Sequence, residues 1–197
     1  SASPTSRPLA QQKLLHWSVD ELLLAEPEHA PRELLRESQR CRGDMLVVAS
    51  LVERPTNLGG ISRTAEVFKV GKMLVHDRKC VLHDSFKTLS LGAEKWLPMA
   101  QVPRESLADY LRLSRRSGWT VVGLEQAEGS VPLQSFTFPA RCILLVGNES
   151  HGIPPDLLEE VDSCLEIPQS GVLRSLNVHV STALVIWEHK RQQLVRC

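Results

Sequence analysis

Residues 165–178, which read LEIPQSGVLRSLNV, decide the predicted fold of the carboxy-terminal part of the chain. The apolar start of this stretch predicts a strand that ends at Pro168, because proline lacks a backbone N–H and has a fixed φ angle. A short loop then passes Gly171, which can adopt backbone angles that other residues avoid. Ser175 or Asn177 can cap the long apolar helix that follows. A loop held between two rigid elements displays main-chain N–H and C=O groups, and such loops are typical sites for small polar ligands.

Apolar runs and amphipathic segments alternate along the chain in front of this stretch. Short apolar runs predict strands at 45–51, 72–76, 97–102, 119–124, 141–147 and 163–167. Helical spacing of apolar residues predicts helices at 61–70, 104–117 and 154–161, and a partly helical segment at 85–96. This alternation predicts the α/β fold class, with a mostly parallel sheet that is flanked by helices. Ligands of such sheets bind outside the carboxyl ends of the strands, so the loops after Leu51, Val146 and Ile167 are the candidate sites.

The chain divides into an amino-terminal extension and one larger domain. Residues 1–10 are rich in Ser and Pro and are predicted to be disordered. Apolar and charged residues in 11–40 predict two or three short amphipathic helices that are broken at Pro27 and Pro31. We therefore predict a tail with a short helical extension over 1–44 and a single domain over 45–197, which is long enough to bury its own core.

Composition and charge argue against several classes of protein. The formal net charge is zero, which disfavours a domain that holds nucleic acid by bulk charge alone, although it allows a local basic patch. The five cysteines are widely spaced and form no C-x-x-C pair, so the sequence predicts neither a zinc site nor a disulfide framework. These thiols indicate an intracellular, reducing compartment, cytoplasmic or nuclear. No apolar run approaches the roughly 20 residues of a membrane helix, so no membrane association is expected.

Two of the candidate loops carry polar residues that can bind a ligand, and each also has a simpler interpretation. The loop at 147–154 reads GNESHGIP. Gly147 lets a ligand approach the main chain, and Glu149 can accept hydrogen bonds from loop amides or from a cationic side chain; the simpler interpretation is a turn with a solvated Glu149. The loop at 57–65 reads NLGGISRTA, and Arg63 lies in the first turns of a helix whose free N–H groups suit an anion such as phosphate. The simpler interpretation is a structural ion pair of Arg63, for example with Glu149.

Taken in order, the three loops resemble the signature motifs of one enzyme family. They read Asn57-x-Gly59-x-x-x-Arg63-x-Ala65, then Val146-Gly147-Asn148-Glu149-x-x-Gly152-Ile153, then Ile167-Pro168-x-x-Gly171-x-x-x-Ser175-Leu176-Asn177-Val178. This order and spacing is similar to that of the SpoU/TrmH family, the ribose 2′-O-methyltransferases of the SPOUT class. The resemblance covers residues 45–195, the whole predicted domain. The sequence departs from the common pattern at His179 and Ser181, where many members have Ser and Ala.

The resemblance implies a fold, a methyl donor and an assembly. The implied fold is an α/β sheet whose carboxy-terminal part is threaded as a trefoil knot. S-adenosylmethionine would lie in the knotted loops, with its adenine held largely by main-chain groups near Gly147, Ile167 and Leu176. Ser175 and Asn177 would bind near the donor pocket or a phosphate of the substrate. Family members work as homodimers with the active site near the interface, so the resemblance implies a homodimer that acts on RNA.

The resemblance also implies the reaction, which is methyl transfer from S-adenosylmethionine to a ribose 2′-hydroxyl in RNA, at guanosine 18 of the tRNA D loop. In the family, activation of this hydroxyl is assigned to the arginine that matches Arg63. Because a free Arg side chain has a pKa near ~13, we expect Arg63 to orient the hydroxyl and to stabilise the developing oxyanion, with a neighbouring phosphate taking part in removal of the proton. Asn57 would help place the ribose or Arg63, and Glu149 would hold Arg63 and its loop.

Two alternatives stay open at the level of the sequence. One is a catalytically silent RNA-binding or dimerisation module that kept the fold, and the other is the same reaction on rRNA. The motifs serve the donor and the ribose, so they do not identify the surrounding RNA. Basic side chains can supply contacts to RNA phosphates, although an ordinary solvated surface is the simpler interpretation. The basic candidates are Arg54, Arg63, Lys69, Lys72, Arg78, Lys79 and Lys87.

Overall fold

The structure is a computed structural model that describes residues 42–173 and 175–196. The tail and the short helices expected over 1–44 fall outside the described residues, apart from residues 42–44 at the entry to the first strand. The division of the chain at residue 45 therefore stays a prediction.

Seven parallel strands form the sheet. They are β1 (Met45–Val48), β2 (Lys72–Val75), β3 (Met99–Gln101), β4 (Thr120–Leu124), β5 (Val131–Pro132), β6 (Cys142–Val146) and β7 (Ser163–Glu166). Their order across the sheet is β3-β2-β1-β6-β4-β7-β5, and every neighbouring pair is parallel. The predicted α/β fold class, a mostly parallel sheet flanked by helices, is confirmed. The sequence does not predict β5, because two residues that end in proline carry no strand pattern.

Strand β6 lies at the centre of the sheet and is buried on both faces. Cys142, Leu144 and Val146 face one core. Ile143 and Leu145 face the other core. This alternation follows the two-residue period of a strand. It also explains why the sequence of β6 is continuously apolar rather than alternating.

Helices cover both faces of the sheet. They are α1 (Pro55–Val67), α2 (Asp84–Ser90), α3 (Leu107–Arg116), α4 (Pro155–Leu158) and α5 (Val178–Arg196). Apolar residues of α1, α2 and α5 pack into one core, and those of α3 and α4 pack into the other. Within the described part of the chain, no helix has both the length and the apolar character needed to span a bilayer.

Helix α1 begins at Pro55 rather than at residue 61, so residues 57–60 lie in its first turns and not in a loop. Proline is favoured at this position because the first helical N–H has no partner within the helix. The glycines that suggest a loop are explained by close packing. A Cβ at Gly59 would lie 3.1 Å from both the Cα and the carbonyl carbon of Phe86 in α2, and still closer to its carbonyl oxygen. Packing between the two helices therefore overrides the low helix propensity of glycine.

The side chain of Asn177 caps the start of the last helix, α5. Its side-chain oxygen accepts hydrogen bonds from the backbone N–H groups of His179 at 2.9 Å and of Val180 at 3.4 Å. Of the two capping candidates in the sequence, Asn177 is therefore the one that caps α5. The chain reaches this cap from β7, which lies between β4 and β5, while β6 lies between β1 and β4. A trefoil knot depends on how the chain connections thread past one another, which the strand order does not determine. The knot therefore stays a prediction.

We expect Gly59→Ala to lower the free energy of unfolding by roughly 1 to 3 kcal/mol, because the added methyl group overlaps with the backbone of Phe86. Thermal or urea unfolding followed by circular dichroism measures the change. Gly171→Ala is the matched control, since no heavy atom of the described residues lies within 4 Å of its Cβ position and its φ is not positive. Equal stability of the two variants would contradict the packing argument.

Candidate functional site

A cleft of about 750 Å³ opens at the carboxyl edge of the sheet. Its wall is built from the start of α1, the loop after β4, the loop after β6, and the segment that joins β7 to α5. Most of the lining comes from residues 54, 57, 124–127, 148–153, 166–167 and 175–178. The three candidate loops therefore meet at one site, as expected for the strand ends of a parallel sheet.

A chain of hydrogen bonds, the Asn57–Glu149–Asn177 network, joins the three motifs. The side-chain amide of Asn57 donates to Glu149 Oε1 at 3.0 Å, and the side-chain amide of Asn177 donates to Asn57 Oδ1 at 3.0 Å. The same carboxylate accepts the backbone N–H groups of Glu53 at 3.1 Å and Arg54 at 3.0 Å. Asn57 is buried. Its side-chain amide donates to Glu149 and accepts from Asn177, so these two neighbours fix its orientation.

The hydrogen bonds keep Glu149 ionised. Burial by itself raises the pKa of Glu149, but the hydrogen bonds from the Asn57 side chain and from the N–H groups of Arg54 and Glu53 outweigh it and leave the pKa below its ordinary value. A carboxyl group whose pKa is lowered in the folded state adds stability above its unfolded pKa and loses that contribution as the pH falls through the folded pKa. The hydrogen bonds that Glu149 accepts from Glu53, Arg54 and Asn57 are therefore expected to weaken in acid.

Gly147, which is predicted to bind the cofactor, is not among the residues that line the cleft. A Cβ at this position would lie 2.7 Å from the carbonyl carbon and 2.9 Å from the Cα of Gly152. The backbones of Asn148 and Gly152 exchange hydrogen bonds of 2.9 and 3.0 Å across the turn. The absence of a side chain at Gly147 thus lets the loop after β6 fold back on itself.

The other residues predicted to bind the cofactor are all at the cleft. Ile167, Ser175, Leu176 and Asn177 line it, and Leu176 is 41% exposed although it is apolar. Apolar side chains and main-chain groups together suit a ligand with a flat aromatic part and a polar part. Their role in cofactor binding stays a prediction.

Glu125 is a site residue that the sequence does not single out. It follows β4 directly, and its carboxylate accepts the backbone N–H of Ile153 at 2.8 Å and that of Gln126 at 3.1 Å. Gly152 has a φ of +67°, and a Cβ there would overlap with this carboxylate. Glu125 therefore holds the carboxy-terminal end of the loop after β6, at Ile153. Glu149 holds the amino-terminal part of the same loop against the entry to α1. The available signal was its position, an acidic residue at the carboxyl end of a buried strand.

Arg63 does not line the cleft. It lies in a second pocket of about 290 Å³ whose other lining residues are Gly60, Thr64, Val67, Phe68, Leu89 and His179. Asn57 and Arg63 are six residues apart on α1, which at about 100° per residue places them on faces roughly 120° apart around the helix axis. The expected contact between Glu149 and Arg63 is therefore not formed. Across residues 42–173 and 175–196, no hydrogen-bonding or ionic partner meets the exposed Arg63 guanidinium.

The described residues contain no group of His, Cys, Asp and Glu side chains that could hold a metal ion.

We expect Glu149→Gln to destabilise the domain at pH 7 by roughly 1 to 3 kcal/mol, because the amide nitrogen that replaces one oxygen cannot accept the hydrogen bonds made to it. Urea unfolding at several pH values measures the effect, and the difference from wild type should shrink as the pH falls through the folded-state pKa of Glu149. Glu159→Gln is the matched control at an exposed position near the end of α4. A difference that stays constant into acid would contradict the role of the carboxylate charge.

Comparison with known families matches residues 44–187 of this chain to the SpoU rRNA methylase family. A protein of Mus musculus that is named tRNA (guanosine(18)-2'-O)-methyltransferase TARBP1 is 44% identical over 190 residues. The match covers 95% of this chain, but the chain spans only 12% of the length of that mouse relative.

Two solved structures share the architecture. The A. aeolicus TrmH/SpoU tRNA modifying enzyme superposes with a TM-score of 0.71 at 26% identity, and the match covers 83% of each chain. An rRNA methyltransferase from Sinorhizobium meliloti, solved with AdoMet bound, superposes with a TM-score of 0.68 at 29% identity and covers 80% of this chain and 60% of that chain. The family match over residues 44–187, together with the three motifs that meet at one cleft, shows that this chain belongs to the SpoU rRNA methylase family.

Proposed function

We propose that this chain transfers the methyl group of S-adenosylmethionine to a ribose 2′-hydroxyl in RNA, at guanosine 18 of a tRNA. The observation that carries the proposal is the Asn57–Glu149–Asn177 network, which joins the three family motifs around one cleft. The name of the mouse relative and the tRNA modifying enzyme of A. aeolicus favour tRNA as the substrate. The same reaction on rRNA is the second candidate, because the S. meliloti neighbour is an rRNA methyltransferase.

The cleft fits S-adenosylmethionine in size and in chemistry. Its volume of about 750 Å³ lies in the range of small-molecule sites. Ile153, Ile167 and Leu176 supply apolar surface for an adenine, and the folded-back loop after Gly147 supplies main-chain groups. The AdoMet bound in the S. meliloti neighbour supports this assignment. The donor brings an activated methyl group on a sulfonium, so this chain has to position the ribose and manage one proton.

The proposal also includes a homodimer. Apolar side chains of α1, α2 and α5 remain between 39% and 51% exposed around the Arg63 pocket; they are Val67, Leu89, Val180, Leu184 and Trp187. Those of α5 recur at intervals of four and three residues and therefore form one stripe. The Trp187 ring also contacts Phe68 at the end of α1, with ring centroids 5.6 Å apart. An apolar face of this kind, which we call the α1–α5 face, is typical of a protein interface, and a second copy of the chain is the partner that the family suggests.

A dimer through the α1–α5 face gives Arg63 a role that its own cleft does not offer. Arg63 lies on this face, so in a dimer it would serve the cleft of the partner copy. A protonated guanidinium there would orient the ribose hydroxyl and stabilise charge on its oxygen. Asn57 and Glu149 then act as positioning residues, because their hydrogen bonds hold the loops of the donor cleft.

The carboxy-terminal knot belongs to the same proposal. Gln192 of α5 donates to the carbonyl oxygen of Phe136 at 2.7 Å and accepts the N–H of Phe138 at 3.1 Å. The last helix is thus hydrogen-bonded to the connection between β5 and β6, which is the kind of crossing that a threaded chain needs. The strand order, in which β6 and β7 each enter between earlier strands, also supports the knot.

Five of the seven basic candidates for RNA binding fall into two groups. Arg54 lines the cleft, and Arg78 and Lys79 follow β2 at the same carboxyl edge of the sheet. Lys72 is the first residue of β2 and therefore lies at the opposite edge, where Lys69 also lies and accepts the N–H of Gly43 through its carbonyl oxygen. We therefore assign contacts with RNA phosphates to the first group only. Loss of RNA affinity with added salt should be less steep when these residues are replaced.

A methylation assay tests the reaction and its substrate. Unmodified tRNA transcript is incubated with the chain and labelled S-adenosylmethionine, and the labelled nucleotide is mapped. We expect label on guanosine 18, and none on a transcript that carries 2′-deoxyguanosine there, because the nucleophile is missing. Label on rRNA alone would move the proposal to the second candidate. Donor binding without transfer to any RNA would favour the catalytically silent module.

Mixed dimers test whether Arg63 serves the cleft of the partner. We expect Arg63→Ala and Leu176→Arg each to abolish methyl transfer, the first by removing the guanidinium and the second by blocking the donor cleft. Random pairing of the two variants gives half mixed dimers, each with one intact site, so activity should return to about a quarter of wild type. An inactive mixture in which mixed dimers are present would place Arg63 and the cleft of one copy together instead.

A further inference from the structure

His179, one of the two residues that depart from the common family pattern, lies beside Arg63. Its Nε2 lies 3.3 Å from Thr64 Oγ1, and its partly buried side chain lines the Arg63 pocket. A Cβ at Gly60 would lie 2.5 Å from Cε1 and 2.7 Å from Cγ of His179, and would also overlap with Nδ1 between them. Because Cε1 and Cγ are nearly as near to this position as Nδ1 is, Gly60 lies over the face of the ring and not in the plane in which the Nδ1 lone pair points.

The contact with Thr64 can fix the protonation of the ring. A neutral imidazole has one nitrogen that donates and one that accepts. If Nε2–H donates to the Thr64 hydroxyl oxygen, the lone pair of Nδ1 is left to accept a proton. The backbone N–H of His179 is engaged separately, in the cap made by Asn177 at 2.9 Å. The side chain can therefore take part in chemistry without disturbing the start of α5.

The reaction needs a group that takes up one proton, and Arg63 is a poor one. A guanidinium stays protonated at all ordinary pH values, whereas an imidazole gains and loses a proton near neutrality. Positioned general bases contribute about 10²- to 10⁴-fold to such steps. His179 is a titratable neighbour of Arg63, and both side chains line this pocket.

We propose that Nδ1 of His179 accepts the proton of the ribose 2′-hydroxyl while Arg63 stays protonated and holds the oxygen. This inference rests on the proposed function and adds a catalytic residue to it. In the step, a lone pair of the 2′-oxygen forms the bond to the methyl carbon, and the methyl–sulfur bond breaks with its electron pair going to sulfur. The hydroxyl proton moves to Nδ1 and gives an imidazolium, which later releases the proton to water.

The surroundings of His179 keep its imidazole neutral at pH 7. Burial and then the positive charge of Arg63 lower the pKa of His179 below its ordinary value. Among the described residues that line this pocket, Arg63 carries the only charge; Gly60, Thr64 and Val67 of α1, Phe68 after it, and Leu89 of α2 are uncharged. The first ten residues of α5, 178–187, add no charged side chain. A neutral imidazole beside a fixed cation is the form that can accept a proton.

Rate measurements against pH test the proposal in the whole chain. For wild type we expect kcat for tRNA methylation to fall as the pH drops through the pKa of His179. His179→Gln should lower kcat by roughly 100-fold or more and remove this acidic limb, with donor affinity unchanged because the cap on α5 uses only the backbone of residue 179. His179→Ser, which installs the residue found in many family members, should behave in the same way. His83→Gln is the matched control, at an exposed histidine before α2.

Nitrogen NMR of the ring gives a readout that is independent of activity. In wild type we expect the Nε2–H tautomer, and in Thr64→Val a loss of this preference. A ring that carries its proton on Nδ1, or a His179→Gln enzyme with wild-type kcat and an unchanged acidic limb, would overturn the inference alone. A wild-type chain that binds the donor and methylates no RNA would overturn the proposed function as well.

Discussion

The carboxylate of Glu149 is the interaction on which the site depends. It is a partly buried acceptor that takes one side-chain and two backbone N–H groups from the entry to α1, and Asn177 extends the same contact to the start of α5. A carboxylate held by several N–H groups stays ionised and binds them more strongly than a neutral acceptor does. Segments that are about a hundred residues apart in sequence are thereby held together in one wall of the cleft.

Much of the fold could be predicted from the sequence, because buried parallel strands have a simple signature. The run at β6 is apolar without alternation, and it occupies the centre of the sheet with both faces covered. The convergence of the three loops follows from strand direction alone, since all carboxyl ends of a parallel sheet meet at one edge. Pattern analysis fails where packing overrides local preference. Gly59 and Gly60 look like loop residues, yet they lie in α1. They are glycines because a neighbouring backbone and an imidazole ring leave no room for a side chain.

The functional site was predicted less completely, for reasons that are geometric. The motif that contains Asn57 and Arg63 reads as one unit, but the helix turns the two side chains onto different faces. The sequence therefore predicts a contact between Arg63 and the Glu149 carboxylate that the described residues do not form. Glu125 was missed because a single acidic residue after a strand has no spacing signature; its role is visible only once the N–H of Ile153 is seen beside it.

The contact between Gly60 and His179 has a consequence for how this family can diversify. The two positions share one volume, so a side chain at 60 demands a smaller one at 179, and an imidazole at 179 demands glycine at 60. Among descendants of a common ancestor, these two sites should change in concert and seldom one at a time. A lineage that acquired histidine would then exchange its glycine only together with a shift of the ring.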